Sequence, residues 1–199
     1  MIVMLMLGAG CATTYVTNSW TSPAVQAPEQ RPKKTLVVAL FPTEAARRTL
    51  EDNLSGRLGH EGVMAVPANR FFNDPSEINR DSLQQVAQRE GFDSVVMSRF
   101  MGIHYGYYTS PSPTFGVGMG FGGYYGYAPY FGAGGNWYYP DQVYPQEEAV
   151  VQTSLFDTRN NGKLLWSATS KTVDPTQSEH EMGVIASKVV KRMQKDAVL

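Results

Sequence analysis

An Asn-Gly pair between two strand-like runs places the tightest constraint on how this chain folds. The runs 148–158 (EAVVQTSLFDT) and 163–173 (KLLWSATSKTV) are rich in β-branched residues, and Asn-Asn-Gly at 160–162 lies between them. Asn-Gly supplies the two positive φ angles of a type I′ turn, which joins neighbouring antiparallel strands. The sequence therefore predicts a β-hairpin. Within it, Trp166 is predicted to be a core anchor against the final helix, with an exposed platform as the alternative.

Three short apolar runs in the first half of the chain predict further strands. They cover 35–41, 63–67 and 93–103 and are rich in strand-forming residues. The intervals between them are long enough for crossover helices, which suggests parallel pairing of these strands.

Helical spacing of apolar residues predicts three helices. Thr43 is placed to cap the first, Asp81 or Ser82 to cap the second, and Gly91 to end the second. The first stripe is Ala46, Leu50, Leu54 and Leu58, and the last is Met182, Ile185, Ala186, Val189, Val190 and Met193. Each stripe predicts a helix face buried in a core.

The order of elements defines the fold class. It reads β-α-β-α-β, then a long Tyr/Gly loop, then β-β-α. We therefore predict an α/β (α+β) domain over residues 34–199, with a single mixed sheet of about five strands and about three helices packed on it in two layers. The Gly/Tyr-rich insertion is placed at residues 104–146.

The single cysteine, Cys11, follows an apolar run and several small residues. The start MIVMLMLGAGCATTY resembles the end of a bacterial lipoprotein signal peptide, in which cleavage leaves a diacylglycerol-modified cysteine at the N-terminus. Residues 1–10 are accordingly interpreted as a signal peptide whose true start lies at Met1 or upstream of it, since no Lys or Arg precedes the apolar run. The alternative is that residues 2–9 form a buried strand and Cys11 is a small core residue.

The segment after the cysteine has the composition of a linker. Residues 11–33 are rich in Thr, Ser, Pro, Ala and Gln, which predicts a flexible tether between the acylated cysteine and the domain. Residue 12 is alanine. In the enterobacterial lipoproteins that the start resembles, an aspartate at that place retains the protein at the inner membrane. The resemblance therefore implies the outer membrane, facing the periplasm, with attachment through palmitate-type acyl chains.

The folded part also resembles known envelope proteins. The stretches TLVVALFPTEAARRTLEDNLSGRLGHEGVMAV, LQQVAQREGFDSVVMSRF and SLFDTRNNGKLLWSATS, followed by a final helix, are similar to small bacterial lipoproteins. These include the penicillin-binding-protein activator lipoproteins, the Tol N-terminal-domain family, and lipoproteins with a D-x-x-x-G-K-L-x-W hairpin, here from Asp157 to Trp166 with one extra residue. The resemblance implies an α/β fold and a non-enzymatic role.

The segment 104–145 holds ten of the eleven tyrosines and only one formally charged side chain. Flat amphipathic rings suit contact with sugars, other rings or membrane interfaces, whereas a mobile insertion without a ligand is the alternative. The candidate contact residues are Tyr107, Tyr108, Tyr124, Tyr125, Tyr127, Tyr130, Trp137, Tyr138 and Tyr139.

The G-x-G-x-x-G string at Gly118–Gly123 does not predict a cofactor site. A dinucleotide fingerprint needs a helix directly after the glycines, and the sequence that follows, YYGYAPYFGAGG, is too rich in glycine to begin one. No cofactor is therefore expected.

Other signals of chemistry are weak. A G-x-S-x-G elbow is missing from the sequence, and Glu179, His180 and Glu181 are adjacent on a helix, so they do not share a face and are expected to be solvated. His60 and His104 have no partner visible in the sequence. We expect no catalytic or metal site, and therefore a protein that is not an enzyme.

These observations lead to one expected function and two alternatives. The net charge of −1 with scattered basic residues argues against a nucleic-acid partner. The expected function is a lipid-anchored interaction or assembly module in the periplasm, with an envelope protein, peptidoglycan or glycan as partner. The alternatives are a glycan or small-ligand binding protein that uses the Tyr/Trp-rich loop, and an enzyme with no recognisable motif.

Overall fold

A computed structural model describes residues 13–110, 142–159, 162–176 and 178–199. Six strands form one mixed sheet in the order β1-β6-β5-β4-β2-β3. The strands are β1 (Thr14–Thr21), β2 (Lys34–Leu40), β3 (Met64–Pro67), β4 (Ser94–Ser110), β5 (Gln142–Asp157) and β6 (Lys163–Val173). Strands β3, β2 and β4 pair in parallel, and β5, β6 and β1 pair antiparallel. The predicted fold class is therefore confirmed, with six strands where about five were expected.

Three α-helices accompany the sheet: α1 (Glu44–His60), α2 (Arg80–Glu90) and α3 (Glu179–Lys195). The cap at Thr43 is confirmed, because its side chain accepts a hydrogen bond from the Ala46 N–H. The predicted cap of α2 was wrong. Asn79 is the cap. Its side chain accepts a hydrogen bond from the Ser82 N–H, and the Ser82 side chain accepts one from the Asn79 N–H. Gly91 ends α2 in the left-handed conformation, as expected.

Helices α1 and α3 pack on one face of the sheet and on each other. The predicted stripes of both helices are buried in one cluster with Trp166, Leu155 and Val151 of the sheet. Trp166 is fully buried, and its indole N–H donates to Asp196 Oδ2 at 2.9 Å. The prediction of a core anchor at Trp166 is confirmed.

Helix α2 covers part of the opposite face. Val86 and Ala87 of α2 are buried in a second cluster with Leu36, Val38 and Val95 of the sheet. The two-layer prediction was therefore wrong, and topology gives the reason. The chain crosses from β2 to β3 in one direction and returns past β2 to β4 in the other. Right-handed crossovers in opposite directions put their helices on opposite faces.

The N-terminal segment enters the sheet much earlier than expected. Strand β1 pairs antiparallel with β6, from Thr14 opposite Thr172 to Thr21 opposite Trp166, with an irregularity between Val16 and Asn18. The prediction of a flexible tether over residues 11–33 was therefore wrong from Thr14 onwards. The Thr- and Ser-rich composition reflects an edge strand with one solvated side.

Strands β4 and β5 extend into the segment predicted to be an insertion, because β4 runs to Ser110 and β5 begins at Gln142. The predicted insertion at 104–146 therefore includes the ends of both strands. The chain divides into two compact units, one of residues 1–105 and 147–199 and the other of residues 106–146. The surfaces considered below belong to the first unit.

The hairpin between β5 and β6 is confirmed, but its turn is not the two-residue type I′ turn. Asp157 pairs with Lys163, so five residues connect the strands. The Gly162 N–H donates to the Asp157 carbonyl at 3.0 Å, and Gly162 has a φ of 76°. The glycine therefore has the expected positive φ, in a longer loop.

Candidate interaction surfaces

The residues that the sequence singles out lie mostly outside the described part of the chain. This holds for Cys11 and for the candidate contact residues Tyr124, Tyr125, Tyr127, Tyr130, Trp137, Tyr138 and Tyr139. Tyr107 and Tyr108 belong to β4, where the structure describes their backbone but not their side chains. The surfaces that the structure does describe were not found from the sequence.

One of these surfaces is an open apolar groove of about 460 Å³ beside α2. One wall is the helix, from Ile78 before its first turn through Leu83 and Ala87, and the floor is formed by strands of the sheet. The lining residues are Leu40, Ile78, Asn79, Arg80, Leu83, Gln84, Ala87, Gln88, Val95, Met97, Phe156, Thr158 and Gly162. The groove exists because α2 is the one α-helix of the described residues that packs on this face of the sheet, whereas α1 and α3 pack on the other.

The polar groups of the groove lie around an apolar floor. Gln84 and Gln88 of α2 are exposed, Arg80 begins the helix, and Thr158 follows β5. Its volume lies in the range of ligand-binding clefts, which are mostly apolar with a few polar groups that fix orientation. The side-chain amides of Gln84 and Gln88 can hydrogen-bond the backbone of a bound segment. The groove is therefore equipped to bind a partly apolar partner.

A second surface is the face of β5, β6 and β1 that points away from α1 and α3. Tyr15 O–H donates to Glu148 Oε1 at 2.9 Å, and Lys171 Nζ donates to Glu148 Oε2 at 2.6 Å. The hydrogen bond from Lys171 lowers the pKa of Glu148, so this carboxylate stays ionised at neutral pH. The face therefore carries a charge-compensated cluster and not an isolated charge.

The same face carries an exposed tryptophan. Trp20 is 51% exposed and lies opposite Ser167 in the register of β1 and β6. Ser154 Oγ and Gln152 Nε2 lie 3.1 and 3.3 Å from Ser167 Oγ. An aromatic ring thus lies beside a row of uncharged hydroxyl and amide groups.

Helix α1 contains a buried ion pair that the sequence did not predict. The side chains of Arg47 and Glu51 are fully buried, and Arg47 Nη1 lies 3.3 Å from Glu51 Oε1. Glu51 also accepts hydrogen bonds from the Ala39 N–H at 3.0 Å and the Asn69 N–H at 2.8 Å. The carboxylate therefore ties α1 to β2 and to the short helical turn Ala68–Arg70.

Glu44, one turn before the ion pair, extends the cluster to the surface. Arg47 Nε and Nη2 donate to its two carboxylate oxygens at 2.7 and 2.6 Å. These hydrogen bonds lower the pKa of Glu44 to about 2, whereas burial raises the pKa of Glu51. Glu44, Arg47 and Glu51 follow i, i+3 and i+7 spacing, which is a helical signal but is usually seen on solvated faces.

The titratable groups near the start of α3 are not all solvated. Glu181 is buried, and its Oε2 accepts hydrogen bonds from the Thr176 N–H at 2.7 Å and the Thr176 hydroxyl at 3.1 Å. The prediction that Glu181 is solvated was wrong, whereas Glu179 and His180 are exposed. Within the described ranges, no group of three His, Cys, Asp or Glu side chains is placed to hold a metal ion.

Helices long and apolar enough to cross a bilayer are not found among the described residues.

Comparison with known proteins gives structural matches alone. No protein-family model and no curated protein matches the sequence. A PelC dodecamer from Paraburkholderia phytofirmans matches with 15% identity and a TM-score of 0.43, over 90% of this chain and 95% of that one. A PelC variant from the same organism matches with 14% identity and a TM-score of 0.43, over 89% and 96%. Lipoprotein GNA1162 from Neisseria meningitidis matches with 19% identity and a TM-score of 0.43, over 82% of this chain and 99% of that one.

Proposed function

We propose that this protein is a non-enzymatic lipoprotein, anchored through Cys11 in the periplasmic leaflet of the bacterial outer membrane, that acts as an interaction or assembly module. The open groove beside α2 is the observation that supports a binding role. Its floor is apolar, and the side chains at its rim suit hydrogen bonding to a partner's backbone. The sequence around Cys11 supports the anchor, because an acylated cysteine attaches a chain without a membrane-spanning helix.

The groove is suited to a protein segment with one apolar side. Leu83 and Ala87 lie one turn apart on α2, and Val95 and Met97 alternate on β4. The groove therefore offers two parallel apolar rows, one from a helix and one from a strand. Burying apolar side chains there would contribute about 25 cal/mol per Å² of area removed from water.

Photo-crosslinking in cells tests the groove with a control one residue away. We expect a benzophenone side chain at Gln84 or Gln88 to capture a partner, because both residues line the groove. Gln85 is exposed on the same helix and does not line it, so we expect no capture at position 85. Equal capture at all three positions, or none at Gln84 and Gln88, would exclude the groove as the binding site.

Glycan binding is a second candidate function, supported by Trp20 and the uncharged row beside it. Aromatic rings stack on sugar faces while hydroxyl and amide groups hydrogen-bond the sugar hydroxyls. We expect peptidoglycan or polysaccharide fragments to shift the NMR signals of Trp20 and Ser167, and Trp20→Ala to abolish the shifts while Trp20→Phe retains part of them. Shifts that persist unchanged in Trp20→Ala would rule out this face.

A further inference from the structure

Helices α1 and α3 run side by side in the same direction, and a small cavity opens between their C-terminal halves. They approach closely at Gly183, where an added Cβ atom would lie 3.3 Å from Asn53 Oδ1. Further along both helices, Oε2 of Glu61, the residue after α1, accepts a hydrogen bond from the side-chain amide of Gln194 of α3. A cavity of about 130 Å³ is lined by residues that lie at or beyond the second turn after the close approach.

The lining of this cavity is polar and carries a net positive charge. Arg57 and Lys191 supply two permanent positive charges against the single carboxylate of Glu61. The exposed Lys188 and Lys195 lie one turn on either side of Lys191 on α3. The lining residues are Arg57, His60, Glu61, Ser187, Val190, Lys191 and Gln194.

Arg57 holds a buried polar atom that lacks a partner. Its Nε atom is buried and has no hydrogen-bond partner among the described residues. The carbonyls of Leu58 and Gly59 at the end of α1 already accept hydrogen bonds from backbone N–H groups that follow the helix, so Arg57 is not needed to cap α1. A buried guanidinium N–H without an acceptor is destabilising, and such a group in a folded protein calls for an ion or a water as its partner.

The two cations of the cavity are also without an acidic partner. Among the described residues, neither Arg57 nor Lys191 lies within ion-pair distance of a carboxylate. The neighbouring Arg192, by contrast, has its Nε atom 3.0 Å from Asp196 Oδ1. The carboxylate of Glu61 is bonded to a neutral amide instead of a cation. Both cations are therefore available to an anion from outside the chain.

The size of the cavity and its donors favour a phosphate group. Its volume is well below the range of about 300–1,000 Å³ of pockets for drug-sized molecules, so it suits a single anionic group. An arginine guanidinium binds phosphate or carboxylate through two parallel N–H bonds, and lysine adds a point charge. Ser187 adds a hydroxyl one turn before Lys191. Donors from two helices can engage the several oxygens of a phosphate, whereas a carboxylate has two.

We propose that the cavity between α1 and α3 binds a phosphate group, with Arg57 and Lys191 as its charged ligands and Ser187 as a hydroxyl donor. The phosphate is a free ion or the ester of a larger molecule. The site lies on the face of the sheet opposite the groove beside α2. It is therefore a second binding site, independent of the groove and of the proposed anchor.

Titration of the full chain with inorganic phosphate tests this site at its unpartnered atom. The arginine Nε–H signals are followed by NMR, with ionic strength held constant by chloride so that screening does not change. We expect the Arg57 Nε–H signal to shift and to saturate with phosphate, and to respond much less to acetate. A shift that never saturates, or an equal response to acetate, would overturn the proposal.

Three variants separate the site from general attraction of anions, with the Ser187 N–H signal as the readout. We expect Arg57→Gln and Lys191→Gln each to weaken phosphate binding by about ten-fold or more, the effect of losing a hydrogen bond to a charged group. Lys188→Gln removes an exposed charge of α3 that does not line the cavity, and less than about a two-fold change is expected because exposed charges are screened. Equal weakening in all three would contradict a specific site. Lys191 is exposed, so Lys191→Gln keeps the comparison valid if Arg57→Gln does not fold.

A second titration with glycerol 3-phosphate identifies the source of the phosphate. Binding of this ester at least as tight as that of inorganic phosphate, and lost in Lys191→Gln, would assign the site to a phosphate ester. Binding of inorganic phosphate alone would assign it to the free ion. Binding of neither would overturn the proposal and leave the anchor and the groove in place.

Discussion

Replacing Glu51 by leucine is expected to lower the free energy of unfolding by about 3–5 kcal/mol, because it removes one of the two carboxylates that pair with a fully buried arginine and leaves two backbone N–H groups without their acceptor. Arg47 would keep a fully buried guanidinium with only Glu44 to pair with. The backbone N–H groups of Ala39 and Asn69 would each lose their acceptor. Chemical denaturation followed by circular dichroism measures the loss.

A neighbouring carboxylate and a double variant control this prediction. Asp52 is exposed and accepts a hydrogen bond from the side-chain amide of Asn69 at 3.1 Å, so Asp52→Leu is expected to change stability by no more than about 0.5 kcal/mol. The pair Arg47→Met with Glu51→Leu removes both charges and is expected to recover part of the loss. A double variant no more stable than Glu51→Leu alone would contradict the assignment of the loss to the incompletely compensated charge of buried Arg47.

Truncating Trp166 is expected to have a similarly large effect, with Trp166→Ala costing about 3–5 kcal/mol. Its ring is fully buried between the sheet and α3, and its N–H bonds Asp196 just after the end of α3. Trp166→Phe keeps most of the apolar volume and leaves Asp196 without that donor, so a smaller loss of about 1–3 kcal/mol is expected. Thermal and denaturant unfolding distinguish the two variants.

Trp20 supplies the matched control on the adjacent strand. It is half exposed, and its neighbour Thr21 lies opposite Trp166. Trp20→Ala removes the same side chain from the surface and is expected to cost about 0.5–1 kcal/mol, within the range of cross-strand side-chain pairs. Equal losses at positions 20 and 166 would show that burial of Trp166 is not what stabilises the fold.

Features of this fold that depend on neighbouring residues could be predicted from the sequence, whereas features that depend on contacts between distant residues could not. Features that depend on residues a few positions apart were predicted correctly. They are the apolar stripes of α1 and α3, the cap at Thr43 and the glycine that ends α2. The position of α2 on the second face depends on strand order, and strand order depends on contacts far apart in the chain. Local periodicity carries no information about it.

Strand β1 and the ion pair in α1 were missed for a related reason. The sequence of β1, TYVTNSWT, has the composition of a linker, and only pairing with residues about 150 positions later makes it a strand. Arg47 and Glu51 have the i, i+4 spacing of an ordinary solvated pair, and burial under the turn Ala68–Arg70 could not be read from it. The groove follows from the packing of α1 and α3 on one face and of α2 on the other, which local periodicity does not predict.

The pairing of the first strand with the last has a consequence for the order of folding. Among the described residues, β1 lies at the edge of the sheet and has β6 as its one strand neighbour. During synthesis from the N-terminus, β1 has no partner until nearly the whole chain has emerged, and closing a loop of this length delays the contact. Strand β1 therefore stays without its strand partner through most of synthesis, and this edge of the sheet is completed last.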